Sequence, residues 1–401
     1  MANLERGTSA ASFAEGFAEG FAESSAERST AIELEANAGT AASFHPSTNY
    51  QSVRLYSERI CQPLSVEDYG LQAMDSTSPA KWHLAHTSWF FETFILKAYS
   101  PGYREFHPRF EYLFNSYYNA VGQQYSRGQR GLLSRPTVEE VYRYRQHVDQ
   151  GMGELLDKLP GGEEGRSVLQ LTELGCHHEQ QHQELLFTDL KYCLFQNPLY
   201  PAYSQKNLPA AQAVLPLQWQ SFSGGLHSIG HDAPGVFCFD NELPRHQQYV
   251  ESFQIADRLV SNGEYLEFMK DNGYQRPELW LADGWSALVE INERERAPLY
   301  WVQQDGAWWE FSLYGLVPLD LNRPVAHLSA YEADAYARWC ECRLPTEFEW
   351  EVASATAAPA VSSPGESEEI VVHPNLSSPV SSLWQWTSSA YTPYPGFSPV
   401  D

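Results

Sequence analysis

The densest group of potential metal ligands is a run of nine mostly polar residues inside a stretch with helical periodicity. The run reads Cys176-His177-His178-Glu179-Gln180-Gln181-His182-Gln183-Glu184. Because His178 and His182 are four residues apart, a helix would project them from one face, where they can hold a single metal ion. So many polar groups on a half-buried helix are costly unless a water-filled, metal-containing cavity satisfies them. The alternative is a solvated helix face with one or two hydrogen-bonded core histidines.

A second stretch with helical periodicity offers two further histidines, His83 and His86. A metal site in a helix bundle usually draws ligands from more than one helix. Periodicity alone does not choose between the two, but His86 shares its face with Trp82 and Trp89 and is therefore expected to point inward. Three neutral imidazoles suit a divalent first-row metal and leave coordination positions open, but they do not separate iron from zinc.

The run from His178 to His182 also reads His-Glu-x-x-His, the pattern of zinc proteases in which the glutamate is the general base. A pattern of this length often occurs by chance, and the intervening Gln-Gln is unusually polar for a protease helix. A zinc-dependent hydrolase, with Glu179 as its base, is therefore kept as an alternative.

Two arginines, Arg127 and Arg130, lie in a glycine-containing segment between the two histidine-bearing stretches. Their guanidinium groups could bind a substrate carboxylate through charge-assisted, bidentate hydrogen bonds. The alternative is a pair of solvated surface arginines.

The elements that must position these residues are predicted to be helices. Ser78 with Pro79 favours a helix start, with Ser78 as the N-cap, and Thr137 with Glu140 forms a capping box. With an opening helix they make a plausible four-helix bundle. The predicted helices span 52–60, 78–99, 137–159 and 167–195.

The pattern changes after residue 200, where Trp, Gly and Pro become frequent and apolar runs shorten. Turn dipeptides occur at Asp283-Gly284 and Asp305-Gly306. Two helices, at 261–271 and 329–340, interrupt this region, which predicts an irregular α+β domain. The segment 354–380, rich in Ala, Ser, Pro and Glu, is predicted to be a surface insertion.

Composition excludes several classes of partner. The chain has 26 basic and 51 acidic residues, a net charge of −25, which argues against nucleic-acid and anionic membrane partners. No apolar stretch approaches the roughly 18 residues of a membrane span. Six scattered cysteines and no export signal favour a cytoplasmic protein with free thiols. Residues 1–45, poor in branched apolar side chains, are expected to form a disordered low-complexity tail.

Taken together, these features resemble the nonheme iron sulfoxide synthases of ergothioneine biosynthesis, also called hercynine oxygenases. The first half contributes the segment Ser78-Pro-Ala-Lys-Trp-His-Leu-Ala-His86 and the helix with His178 and His182. The second half contributes Phe239-Asp-Asn-Glu242 and Arg343-Leu-Pro-Thr-Glu-Phe-Glu-Trp-Glu351. The resemblance implies an α+β protein of two domains. A DinB-like four-helix bundle (46–200) would precede a formylglycine-generating-enzyme-type, C-type-lectin-like domain (201–401).

The resemblance also implies the site residues and the reaction. The ligands of Fe(2+) would be His86, His178 and His182. His83 would then be a neighbour, Gln181 would hydrogen-bond the substrate imidazole, and Arg127 and Arg130 would bind the carboxylate of the sulfur donor. The implied reaction uses O2 to join the thiol of cysteine or γ-glutamylcysteine to the imidazole of hercynine (Nα-trimethylhistidine), as a sulfoxide.

The chain departs from the family at its C-terminal end. It stops at Asp401, where family members continue, and Gln385 replaces a usual glutamate. The catalytic tyrosine of the family would lie in the later stretch, so the catalytic residue is unknown here. An incomplete C-terminal domain with weak or no activity is therefore expected. A truncated paralogue that only binds is a further alternative.

Overall fold

The computed structural model describes most of the chain after its first 45 residues. The described residues are 46–116, 122–206, 208, 211, 213–232, 235–292, 296–356 and 383–399. The predicted tail at 1–45 and nearly all of the predicted insertion at 354–380 lie outside them. The chain divides into two units: the first ends at Tyr203, and the second spans Ser204–Pro399.

Helices build the first unit. They are α1 (Pro46–Cys61), α2 (Ala80–Phe91), α3 (Phe110–Phe114), α4 (Val138–Asp157) and α5 (Gly162–Phe195). After α2 the chain continues through a π-helical turn, Glu92–Leu96, and a 3-10 turn at Arg127–Leu132 precedes α4. Helix α2 packs against both α4 and α5, and α1 packs against α5. The two histidine-bearing helices, α2 and α5, are therefore direct neighbours.

The two predicted helix-start signals of this unit have different outcomes. The Thr137 side chain accepts a hydrogen bond from the backbone N–H of Glu140, which confirms the capping box of α4. The prediction of Ser78 as an N-cap is wrong, because α2 begins after Pro79 and makes no side-chain cap. Ser78 instead accepts a hydrogen bond from Arg130 and donates its backbone N–H to Asp189.

The contact between α2 and α5 depends on a glycine. A Cβ atom at Gly175 would lie 2.5 Å from the Phe91 ring, far inside van der Waals contact. Gly175 precedes His178 by less than one helical turn. The missing side chain therefore lets α2 and α5 approach closely beside the histidines. The surrounding core contains large, fully buried side chains, among them Ile60, Trp89, Phe91, Leu96 and Tyr144.

The second unit is built from short antiparallel strands and helices. The strands are β1 (Trp219–Phe222), β2 (Gly225–Ile229), β3 (His246–Val250), β4 (Phe253–Ala256), β5 (Trp301–Gln304), β6 (Ala307–Ser312) and β7 (Gly315–Pro318). Strand β1 pairs with β4, β2 with β3, and β5 to β7 form a three-stranded sheet in chain order. The helices are α6 (Asn262–Lys270), α7 (Ala282–Glu290), α8 (Ala330–Trp339) and α9 (Glu347–Ser354).

The two predicted turn dipeptides of this unit also differ in outcome. Asp305 and Gly306 have φ values of 51° and 80° and connect β5 to β6, as predicted. The turn predicted at Asp283-Gly284 is wrong, because both residues lie in α7. A Cβ at Gly284 would lie 2.6 Å from the Tyr331 side chain, so this glycine serves helix packing.

The core of the second unit is largely aromatic. Tyr265 and Phe268 of α6 pack with Ala335 of α8. The same cluster also contains Tyr274, Leu279, Trp280, Leu288 and Trp301. The mixture of helices with short antiparallel strands agrees with the predicted α+β class. Among the described residues, we find no helix with both the length and the apolar content needed to cross a bilayer.

Candidate metal centre

Three histidines from two helices converge in the first unit. His86 lies on α2, and His178 and His182 lie one turn apart on α5. One ring nitrogen from each lies within 4.8 Å of the other two. His86 Nε2 and His178 Nε2 are 3.3 Å apart, and the His86 and His182 ring centroids are 4.6 Å apart. The structure thus brings together the three histidines that the resemblance implied as ligands.

The spacing of one ligand pair and the chemistry of all three donors fit a divalent metal ion. Metal–nitrogen bonds of about 2.1 Å place adjacent ligand nitrogens about 3.0 Å apart in an octahedron and about 3.4 Å apart in a tetrahedron. The 3.3 Å between His86 Nε2 and His178 Nε2 lies within this interval. Imidazole donors suit several first-row divalent metals, iron and zinc among them.

The backbone of α3 fixes the ring of His86. His86 Nδ1 lies 2.5 Å from the carbonyl oxygen of Phe114, and the ring stacks on Trp82 at a centroid distance of 4.6 Å. A carbonyl oxygen only accepts hydrogen bonds, so Nδ1 must carry the proton. In the neutral ring, Nε2 then presents its lone pair toward His178.

Burial keeps the three rings neutral. Desolvation lowers the pKa of His178 to about 4. Desolvation and the neighbouring His178 lower the pKa of His86 well below its ordinary value, and desolvation and His86 do the same for His182. Neutral imidazole is the form that coordinates a metal, so the site is ready for an ion at neutral pH.

Arg130 is a buried cation close to this site. Its side chain is 3% exposed, and its guanidinium carbon lies 3.5 Å from the centroid of the Trp82 ring. Its two terminal nitrogens donate to the hydroxyls of Ser78 and Ser116, each at 2.9 Å. The alternative of a solvated surface arginine is therefore wrong for Arg130. Stacking and two hydrogen bonds hold its planar group in one orientation.

The other two predicted substrate-binding residues each lie close in sequence to a residue of the site. Arg127 is half-buried, at the start of the 3-10 turn that contains Arg130, and donates to the carbonyl of Ser76. Gln181 is half-buried on α5, directly before His182. The substrate contacts of Arg127 and Gln181 stay predictions.

Glu179, the candidate base of a zinc hydrolase, is buried, and both of its carboxylate oxygens accept hydrogen bonds from protein side chains. It is 0% exposed; its Oε1 accepts hydrogen bonds from Ser57 Oγ (2.6 Å) and Arg145 Nη2 (3.0 Å), and its Oε2 accepts one from Arg54 Nη1 (2.9 Å). Burial alone would raise the pKa of Glu179, but Arg54 and Arg145 outweigh burial and lower it. Adjacent helix residues point about 100° apart, so Glu179 faces α1 and α4 while His178 faces α2. The Glu179 carboxylate therefore stabilises the helix packing and points away from the histidines, which argues against its role as a general base.

The surroundings of His83 were not predicted from the sequence. His83 Nδ1 lies 2.9 Å from His182 Nδ1, and His83 Nε2 lies 3.0 Å from Asp189 Oδ2. Asp189 follows His182 by seven residues, which is two helical turns on the same face of α5. This spacing is the signal that could have linked Asp189 to the site.

Comparison with known proteins shows what the chain resembles. Residues 208–373 match the family model of the sulfatase-modifying factor enzyme 1-like domain. The chain is 31% identical to hercynine oxygenase of Mycobacterium tuberculosis over 356 residues, which cover 80% of this chain and 79% of that protein. It is 30% identical to hercynine oxygenase of Mycolicibacterium smegmatis, over 80% of this chain and 78% of that protein. Ergothioneine biosynthesis protein 1 of Schizosaccharomyces pombe is 34% identical over 41% of this chain and 21% of that protein.

Proposed function

The chain belongs to the hercynine oxygenase family, and we propose that it is an iron(II)- and O2-dependent sulfoxide synthase of ergothioneine biosynthesis. It joins the thiol of cysteine or γ-glutamylcysteine to the imidazole of hercynine. The convergence of three neutral imidazoles from α2 and α5 carries this proposal. The first unit would be a DinB-like bundle that supplies this site.

In this proposal His86, His178 and His182 hold ferrous iron. When bound, the iron supplies redox chemistry with dioxygen and open coordination positions for the two organic substrates. The protein contributes orientation. The hydrogen bond from His86 to Phe114 and the packing at Gly175 fix the nitrogens before the ion arrives.

The remaining predicted site residues bind the organic substrates. Arg127 and Arg130 supply positive charge for the carboxylate of the sulfur donor. That role needs local positive charge, because the chain carries a net charge of −25. Gln181, directly before His182, hydrogen-bonds the imidazole of hercynine.

The test combines anaerobic protein, Fe(2+), hercynine and one thiol at a time, followed by exposure to O2 and mass spectrometry. The expected product has the mass of hercynine plus thiol plus one oxygen atom minus two hydrogen atoms. His182→Ala should abolish product and thiol-dependent O2 uptake. His107→Ala is the matched control, because His107 is an exposed histidine outside the site.

Two results would contradict the proposal. Iron-loaded protein that consumes no O2 with either thiol, at a protein concentration high enough to detect even weak turnover, would favour the non-catalytic paralogue. Peptide or ester hydrolysis by the zinc-loaded protein, abolished by Glu179→Gln in a folded variant, would favour the zinc hydrolase.

A further inference from the structure

A chain of three side chains leads away from the candidate metal centre. His182 Nδ1 lies 2.9 Å from His83 Nδ1, and His83 Nε2 lies 3.0 Å from Asp189 Oδ2. The same carboxylate oxygen accepts a hydrogen bond of 2.8 Å from the backbone N–H of Ser78, just before α2. His83 is 3% exposed and the Asp189 side chain 13%, so water competes little for these contacts.

The contacts determine where the ring protons lie. A carboxylate oxygen accepts hydrogen bonds, so His83 Nε2 carries a proton toward Asp189. In neutral His83 the other nitrogen, Nδ1, is then an acceptor. His182 Nδ1 must donate to it, which leaves His182 Nε2 as the nitrogen with a free lone pair. This is the tautomer that coordinates a metal through Nε2.

We propose that His83 and Asp189 are positioning residues that hold His182 in the orientation and tautomer in which its Nε2 binds the metal ion. This inference rests on the proposed function only in requiring that His182 is a ligand. In this role neither residue is a ligand of the ion: His83 acts through His182, and Asp189 acts through His83. Carboxylate groups behind ligating histidines act in this way generally, and here a second imidazole lies between them.

The other two ligands are held differently, which makes His182 the sensitive position. The backbone carbonyl of Phe114 orients His86, and no side-chain substitution removes that group. His178 Nδ1 is buried and has no hydrogen-bond partner among the described residues. An isolated His–His contact has two proton arrangements of similar energy, and Asp189 selects one of them.

The inference is tested by anaerobic titration of the metal-free full chain with Fe(2+), and with Co(2+) as a spectroscopic probe. Asp189→Asn and His83→Leu should weaken the binding of both ions about 10- to 100-fold, the usual cost of losing an outer partner. An amide at position 189 has no negative charge and can either accept from His83 or donate to it, so it no longer selects one tautomer of His83 and His182. His83→Asn is the rescue variant, because its side-chain oxygen can accept the proton of His182 Nδ1 and should restore most of the affinity.

Asp149→Asn is the matched control for Asp189→Asn. Asp149 also accepts two hydrogen bonds, from Tyr50 (2.6 Å) and Arg54 (2.7 Å), but contacts none of the four histidines. This variant should lower the melting temperature of the metal-free protein and leave its ion affinity unchanged. The visible absorption bands of the Co(2+) form should shift in Asp189→Asn and stay fixed in Asp149→Asn.

The outcomes separate this inference from the proposed function. Wild-type affinity in folded Asp189→Asn and His83→Leu would overturn the positioning role and leave the iron site standing. Equal losses in His83→Leu and His83→Asn would also overturn it, because packing and not the hydrogen bond would then matter. A wild-type chain that binds neither ion would overturn the proposed function and this inference together.

Discussion

Two of the three histidines of the candidate centre, His86 and His182, are oriented by hydrogen-bond partners that a local sequence pattern does not display. His86 is oriented by a carbonyl on α3, and His182 contacts His83, which belongs to α2. The run around His178 contains two of the three ligands and also Glu179, which stabilises the fold and is not part of the metal site. Its carboxylate joins two buried arginines, and truncation of such a partner leaves buried charge uncompensated. Adjacent residues of α5 thus have different roles: His178 belongs to the candidate site, and Glu179 stabilises the fold.

Arg130 provides a test of substrate binding at a single position. Arg130→Lys keeps the charge but loses the planar group that stacks on Trp82 and reaches both Ser78 and Ser116. Loss of one charge-assisted hydrogen bond costs about 1.5–3 kcal/mol, so the KM of the thiol should rise roughly 10- to 100-fold. We expect a much smaller change in kcat, measured by O2 uptake over a range of thiol concentrations.

Arg135→Lys is the control for this substitution, since Arg135 is exposed and follows the same 3-10 turn. It should leave both constants unchanged. If Arg130→Lys lowered kcat and left the KM of the thiol unaltered, Arg130 would not bind the sulfur donor.

The close packing of α2 against α5 brings the histidines of the two helices together to form the site. Gly175 faces Phe91, and these two residues are far apart in the sequence. Hydrophobic periodicity shows which face of each helix is buried, but it does not show how close two helices come. For this reason periodicity alone left the choice between His83 and His86 open, and the family resemblance was needed to select His86.

Gly175→Ala should therefore damage both the fold and the site. The added methyl group would lie 2.5 Å from the Phe91 ring, and such overpacking costs about 1–3 kcal/mol. The midpoint of urea unfolding should fall, and Fe(2+) affinity should weaken as the helices separate. Gly153→Ala in α4 is the control, since a Cβ there meets nothing within 4 Å. It should stabilise the protein by up to about 1 kcal/mol. Equal stability of the two variants would contradict the close packing.

Across the whole molecule, short sequence signals predicted local structure correctly where only nearby backbone was involved, and failed where tertiary contacts decided the outcome. The capping box at Thr137 and the turn at Asp305-Gly306 form as expected, because backbone geometry within four residues decides them. The signals at Ser78 and Asp283-Gly284 failed because tertiary contacts overrode them. Ser78 is engaged by Arg130 and Asp189, and Gly284 packs against Tyr331.

The candidate site was predictable only with the family resemblance. Spacing alone gave two histidines on one helix and a choice between two on another. The resemblance selected His86, and the structure brings it to the other two. The buried state of Arg130 and the contact between Asp189 and His83 needed coordinates, because both depend on side chains from separate elements.

Both units contain carboxylates whose ionised form stabilises the fold, so the whole chain should lose stability in acid. In the second unit, bidentate hydrogen bonds from Arg343 lower the pKa of Glu349, and the backbone N–H of Thr346 adds to this effect. In the first unit, the pKa of Glu179 is also lowered, as Arg54 and Arg145 outweigh its burial. A carboxylate whose folded-state pKa is lowered stabilises the protein above its unfolded-state pKa, and this contribution disappears as the pH falls through the folded-state value.

Glu349→Gln isolates one such contribution. At neutral pH it should lower the free energy of unfolding by about 1–3 kcal/mol, because it removes a bidentate charged pair from the start of α9. Below about pH 4 the difference from wild type should shrink, since protonation removes the same charge from Glu349. Urea unfolding at several pH values, followed by tryptophan fluorescence, measures both quantities. Glu267→Gln, which breaks only the exposed pair with Lys270, should change little at any pH. A difference between Glu349→Gln and wild type that stayed constant from neutral pH into acid would show that the charge of Glu349 does not stabilise the fold.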